Sequence, residues 1–174
     1  MAEIEIPKDV NVSVEGNTVT VKGKLGSNTR PFNDALLSVA INQGRLKIES
    51  VKSNKKLAKK AQNAITSFSK EVQTDMKGTN EYFEVRMEAI SAHFPMSLET
   101  KGDTLLIKNI FGERAPRPAK IAGSTKVEIK DKALRIYGTK LEDVMQTSAN
   151  IRKACKARNK DERIFQDGIY YSLN

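Results

Sequence analysis

Few side chains in this 174-residue chain could do acid–base or covalent chemistry, and their surroundings argue against each. His93 is the only histidine, so neither a Ser-His-Asp relay with a spare metal ligand nor a paired-histidine zinc site can be assembled. With Phe94 and Pro95 beside it, it reads as a residue packed at a strand end. Cys155 is the only cysteine, which excludes an intramolecular disulfide and a cysteine-built zinc site. It falls on the apolar side of a helical repeat and reads as a small buried hydrophobe. Asp161 and Asp167 form a carboxylate pair, yet Arg158, Lys160 and Arg163 around them would keep both ionised, the wrong state for a general acid. They read instead as residues that orient arginines or cap turns. Neither a phosphate-binding lysine loop nor a G-x-G-x-x-G turn occurs. The expectation is a protein that is not an enzyme, with no catalytic residues, metal, cofactor or small-molecule substrate.

Binding is better supplied. Lys and Arg number 30 against 21 Asp and Glu, a net charge of +9 and a pI near 9.6, which suits a polyanionic partner. Residues 1–80 carry +5 and residues 81–174 carry +4, so local clustering has to distinguish the halves. Arg114, Arg117 and Lys120 lie on a loop stiffened by Pro116 and Pro118, which limits the entropy lost on docking. Six cations, Arg152, Lys153, Lys156, Arg158, Lys160 and Arg163, fall within twelve residues. Arginine forks match phosphate geometry, and each neutralised phosphate releases counterions. Beyond them come Phe165, Tyr170 and Tyr171 around Gln166: aromatics beside arginines are suited to stack on unpaired bases, the alternative being that Phe165 and Tyr170 close the core of the second half. A membrane surface would need a basic helix with a free apolar face, whereas the helix here spends that face on packing. The acidic, alternating start predicts no secretory leader, and the lone cysteine a reducing intracellular setting.

The elements that must carry these residues come twice. Gly16-Asn17-Thr18-Val19-Thr20-Val21-Lys22, closed by Gly26, is echoed 86 residues later by Gly102-Asp103-Thr104-Leu105-Leu106-Ile107-Lys108, closed by Gly112. Val39, Ile41, Leu46 and Ile48 return 88 residues later as Val127, Ile129, Leu134 and Ile136. Each set precedes an amphipathic helix, so the expected fold is α+β: two tandem duplicated domains, residues 1–79 and 80–174, each a small antiparallel β-sheet packed on one α-helix. In the first, Val10, Val12 and Val14 pair through a turn at 15–17 with Val19 and Val21. A short edge strand lies within 24–33, and strands at 38–42 and 46–51 flank a Gln43-Gly44 turn. A helix from about Asn54 to Met76 has Leu57, Ala61, Ala64, Ile65, Phe68 and Val72 as its stripe. Lys55, Lys56, Lys59 and Lys60 crowd its start, where the helix dipole disfavours cations. Residues 77–80 form a short break that holds the domains in fixed relation. In the second, strands at 97–100, 104–108, 126–130 and 133–137 precede a helix over about 140–157. Its inner side is Leu141, Val144, Met145, Ser148, Ile151 and Cys155, with Arg152 as a misfit. Gln146, Asn150 and Lys153 point outward together.

Four segments also spell a familiar pattern: His93-Phe94-Pro95; Asn109-x-Phe111-Gly112-Glu113 with Arg117; Gln146-Thr147-x-Ala149-Asn150-Ile151; and Lys160-Asp161-x-Arg163-x-Phe165-Gln166-Asp167-Gly168-Ile169-Tyr170. The chain resembles, along its whole length, the large-subunit ribosomal proteins of the L-six family in their archaeal and eukaryotic form. The resemblance implies a cytoplasmic, non-enzymatic constituent of the large ribosomal subunit. It also implies binding to large-subunit rRNA near the sarcin-ricin loop and stalk base, chiefly through the second domain, with neighbouring large-subunit proteins as further partners. Transferred residue by residue, the rRNA contacts are Arg114, Arg117, Lys120, Gln146, Asn150, Lys153, Lys156, Arg158, Lys160, Arg163 and Gln166. The first domain departs from the pattern at 63–68, and no contacts are assigned there. The competing reading is a protein-binding module whose charge serves solubility.

Overall fold

Alternating apolar residues and tight turns organise two units, Met1–Tyr82 and Phe83–Asn174. The computed structural model describes residues 2–42, 44–51, 55–158, 160–161 and 163–172, without the side chains of 55–58. The expected helix start at Asn54, Gln43 of the hairpin turn, and the side chains of Lys55, Lys56 and Leu57 therefore lie outside the described residues.

In the first unit, strands β1 (Ala2–Glu5), β6 (Arg45–Ser50) and β5 (Leu37–Asn42) form one antiparallel sheet, and β2 (Asn11–Glu15), β3 (Thr18–Lys22) and β4 (Ser27–Pro31) form another. Helix α1 (Lys55–Asn80) packs on both. Two small sheets, rather than one, thus flank the helix. Period-two patterning sets the register: Val19 and Val21, facing Val14 and Val12 across the hairpin, are fully buried beside Leu46 and Ile48. Strand β1 was not expected, although Ile4 and Ile6 alternating with Glu3 and Glu5 are its signal. The segment 77–80, expected as a break, is the last turn of α1: buried Met76 and Thr79 continue the stripe of Ala61, Ile65, Phe68 and Val72.

The second unit repeats the plan. Strands β7 (Phe83–Ile90), β12 (Ala133–Gly138) and β11 (Lys126–Lys130) form one sheet, while β8 (Ser97–Lys101), β9 (Thr104–Lys108) and β10 (Arg117–Lys120) form the other. Even the register is copied: Val39 faces Ile48 and Ile41 faces Leu46, as Val127 faces Ile136 and Ile129 faces Leu134. Helix α2 (Leu141–Ala154) covers the core of Leu105, Ile107, Leu134, Ile136 and Ile151, each worth about 1.5–3 kcal/mol on full burial. Here the expected stripe needs correction. Leu141 and the 46% exposed Met145 face outward, and Thr147 takes a buried place. Its hydroxyl donates to the Asp143 carbonyl at 2.7 Å and accepts the Ala122 N–H at 2.9 Å, so a polar residue is satisfied inside. The helix also stops at Ala154, three residues short of the expected end. The chain then turns back and adds β13 (Gly168–Tyr171) to the free edge of β7, an element with no counterpart among the described residues of the first unit.

Candidate nucleic-acid interface

Three segments of the second unit are locked together around Asp167. Its carboxylate is buried and accepts the backbone N–H groups of Ala92 at 2.6 Å, His93 at 3.2 Å and Phe94 at 3.4 Å. Burial opposes the charge, but the three N–H donors and nearby His93, 3.6 Å away through Nδ1, outweigh it and hold the carboxyl below its ordinary value. Asp167 is thus ionised as expected, for a different reason: backbone dipoles stabilise it rather than the neighbouring arginines. Asp161 caps a turn, accepting the Arg163 N–H at 2.9 Å.

The turn Ile110–Gly112 is held by an unusual backbone, with Asn109, Phe111 and Gly112 all at positive φ. Asn109 Nδ2 donates to the Pro95 carbonyl at 2.9 Å, and a Cβ on Gly112 would meet the Phe94 ring at 3.2 Å. The left-handed Phe111 directs its buried ring edge-to-face against Phe165, at 6.4 Å between centroids. Phe165 in turn lies 5.5 Å from the His93 ring. Strain of this kind persists only where the surroundings over-determine it. Here it joins 92–96, 109–113 and 165–168 into one support.

On that support the expected contact residues divide into two groups. Arg117 needs correction: it lies on strand β10 rather than in a loop, and its side chain is only 14% exposed. Nε and Nη2 donate to the Glu113 carboxylate at 2.7 and 2.5 Å, and Nη1 donates to the carbonyls of Ala154 and Lys156 at 2.9 and 2.7 Å. Its guanidinium also sits 5.3 Å over the Phe111 ring. Arg117 therefore closes the carbonyl end of α2, where a cation is favoured, and its fork is occupied. The bidentate hydrogen bonds of Arg117 raise its own pKa and, above all other influences, lower that of Glu113. Asn150 is likewise engaged, donating to the Lys120 carbonyl at 2.8 Å and accepting Gln146 Nε2 at 2.9 Å. Gln166 Nε2 reaches the Arg163 carbonyl at 3.3 Å.

The remaining cations are open. Arg114, Lys120, Lys153, Lys156, Arg158, Lys160 and Arg163 are exposed, and among the described residues none makes a salt bridge. Lys120 ends β10 instead of lying in a loop, and Lys160 Nζ sits 4.6 Å over the Phe165 ring. Arg158 and Lys160 come close enough to Glu113 for their charges to lower its pKa, so the turn at 113–114 and the segment after α2 share one field. Arg30, Arg45, Arg86, Arg117 and Arg135 are each bound to carboxylates. Among the described residues Arg114, Arg152, Arg158 and Arg163 have no carboxylate partner, and all four belong to this unit. Arg152 was absent from the expected contacts; its signal was being a cation on the apolar side of a helix. It is exposed, with its guanidinium 5.9 Å over the Tyr171 ring.

The chemistry available is recognition of anions. Burial pushes the Cys155 thiol up to about 11, so it stays protonated and unreactive at neutral pH. Among the described residues no group of His, Cys, Asp and Glu is placed to hold a metal, and no helix is long and apolar enough to cross a membrane. Compared with known proteins, residues 94–168 match the family model of ribosomal protein L6. The chain is 37% identical over 169 residues to large ribosomal subunit protein uL6 of Methanocella arvoryzae, covering 97% of this chain and 93% of that one. It is 38% identical over 167 residues to its namesake in Methanosarcina mazei, with 96% and 93% covered. For Haloarcula marismortui the identity is 36% over 168 residues, with 97% and 92% covered.

Proposed function

The chain belongs to the ribosomal protein L6 family, and from that premise we propose that its second unit fastens it to large-subunit rRNA. It is a structural, non-enzymatic constituent of the large subunit in the cytoplasmic ribosome. The observation that carries the rRNA reading is the set of four arginines that have no carboxylate partner among the described residues, on a braced support, while the other five arginines have one. A cation already neutralised by a carboxylate gains little from a phosphate, whereas an open one releases a counterion. Arg114, Lys120, Lys153, Lys156, Arg158, Lys160 and Arg163 are the phosphate contacts in this reading, joined by the exposed amides of Gln146 and Gln166. Arg117 and Asn150 keep the bearing segments in place. Most contacts address backbone and shape, because A-form helices hide their base edges. The site on the subunit is the neighbourhood of the sarcin-ricin loop and stalk base, beside other large-subunit proteins, as the family resemblance implies.

The test is the salt dependence of binding to protein-free large-subunit rRNA. Replacing Lys153, Arg158, Lys160 and Arg163 together by alanine lowers the slope of log K against log salt by about 0.9 for each lost duplex contact. An unchanged slope removes the proposal and favours a protein-binding module. On a sucrose gradient the chain travels with the large subunit, and nuclease releases it.

A further inference from the structure

Beside the open cations the second unit has a groove of about 470 Å³, within the range of built ligand pockets. Phe111, Phe165 and Tyr170 supply its aromatic lining, and Arg152, Lys153 and Lys156 stand along the last turn of α2 and just past it. Asp167, the one acid among the described lining residues, is spent on the N–H groups of 92–94. Tyr170 is held in advance: its hydroxyl donates to the Gln166 carbonyl at 3.1 Å, and its ring lies so near Gly168 that a Cβ there would stand 3.1 Å from it. Tyr170 nevertheless remains 42% exposed.

From this juxtaposition of a pre-set tyrosine, a second aromatic wall and three adjacent cations, we infer that the groove receives one unstacked nucleotide of the rRNA. The base lies against Tyr170, and its flanking phosphates meet Arg152, Lys153 and Lys156. The inference rests on the rRNA-binding reading and adds to it a mode of contact that phosphate neutralisation does not supply. A duplex is too broad for a cavity of this size, but a splayed-out nucleotide presents a flat π-face to the ring and a phosphate to each side. Aromatics interleaved with cations are the means by which single-stranded segments are recognised. Because Tyr170 is fixed beforehand, little of its freedom is lost on stacking. Phe165 is half-buried, packs on the core and forms the back wall, so the alternatives left open by the sequence divide: Phe165 serves the core, and Tyr170 is available to a base.

Binding of the full chain to protein-free large-subunit rRNA tests this. Tyr170→Ala weakens binding by about tenfold, the loss of one base–aromatic stack, while the salt slope stays unchanged because no phosphate contact is removed. Tyr170→Phe, which keeps the ring and loses only the hydroxyl's hold on the Gln166 carbonyl, weakens binding far less than Tyr170→Ala does. Ultraviolet cross-linking of the parent complex puts a nucleotide adduct on the peptide containing Tyr170. Unaltered affinity of Tyr170→Ala, or adducts confined to peptides outside the groove, overturns the inference while leaving the rRNA-binding reading in place. Absence of binding by the parent chain would instead defeat that reading itself. If Tyr170→Ala binds rRNA normally but loses a neighbouring protein from the assembled subunit, the groove takes a peptide and the inference fails.

Discussion

The two units share strand order and register, yet they treat the end of their helices differently. In the first, α1 runs for 26 residues and its last turns are consumed internally. Buried Asp75 accepts Arg30 Nε at 2.6 Å and Nη2 at 3.1 Å, while Glu71 accepts Nη1 at 3.0 Å. In the second, α2 stops after 14 residues, and Arg117 closes it through backbone carbonyls and Glu113. These arginines occupy rungs two residues apart, and so on the same face, of equivalent strands: Arg30 faces Val19, and Arg117 faces Ile107, the echo of Val21. Each fastens an edge strand of its three-stranded sheet, β4 or β10, to the helix. Shortening the second helix frees the chain beyond Ala154 to carry cations over an outer face. Nearly equal net charge in the two halves thus conceals a different placement of the arginines: among the described residues both in the first unit are bound to carboxylates, whereas Arg114, Arg152, Arg158 and Arg163 in the second are not.

The largest expected effect would break the comparison at its root. Asp75→Ala leaves Arg30 buried without its main partner and should cost about 3–5 kcal/mol, read as a shift of the urea midpoint. Glu113→Ala, at the corresponding arginine, should cost no more than about 1 kcal/mol, because Glu113 is partly exposed and the helix carbonyls still hold Arg117. Equal losses would mean that the two arginines do the same work. A middle-sized effect sharpens the second unit alone: Asp167→Asn removes an acceptor from the 92–94 turn and should cost about 1–3 kcal/mol. The folded pKa of Asp167 is depressed, so its stabilisation is complete above the unfolded value near 4 and is lost as pH falls through the lower folded value. Acid unfolding of the parent should therefore show a component below about pH 4 that Asp167→Asn lacks. The smallest effects concern the surface. Lys59→Ala with Lys60→Ala, and Lys153→Ala with Arg158→Ala, should each change stability by less than about 0.5 kcal/mol per residue. Only the second pair should flatten the salt dependence of rRNA binding; a matching change from the first pair would assign rRNA contact to both units.

The duplication was legible because strand register follows a period-two pattern that survives substitution of one apolar residue for another. Val39 and Ile41 could only pair as Val127 and Ile129 do once the turns were in place. The expectation of a non-enzymatic protein was drawn from a single histidine and a single cysteine. Less visible were features in which a polar residue substitutes for an apolar one, such as Thr147 inside α2, satisfied by Asp143 and Ala122. Among the candidate contacts, residue type and spacing found the cationic stretch. They ranked Arg117 with Arg114, although one is engaged at a helix end and the other is open.

By itself the sequence determined the twofold α+β plan and the sign of the charge, which follow from local periodicity and composition, while its motifs carried the resemblance to the family. Only the tertiary structure decided which arginines are neutralised, that backbone N–H groups rather than arginines stabilise Asp167, and that Tyr170 stands open beside three cations. Those outcomes depend on distances between segments remote along the chain, where a few ångströms separate a carboxylate that binds a guanidinium from one that leaves it free, and Coulomb and hydrogen-bond energies change steeply over that range.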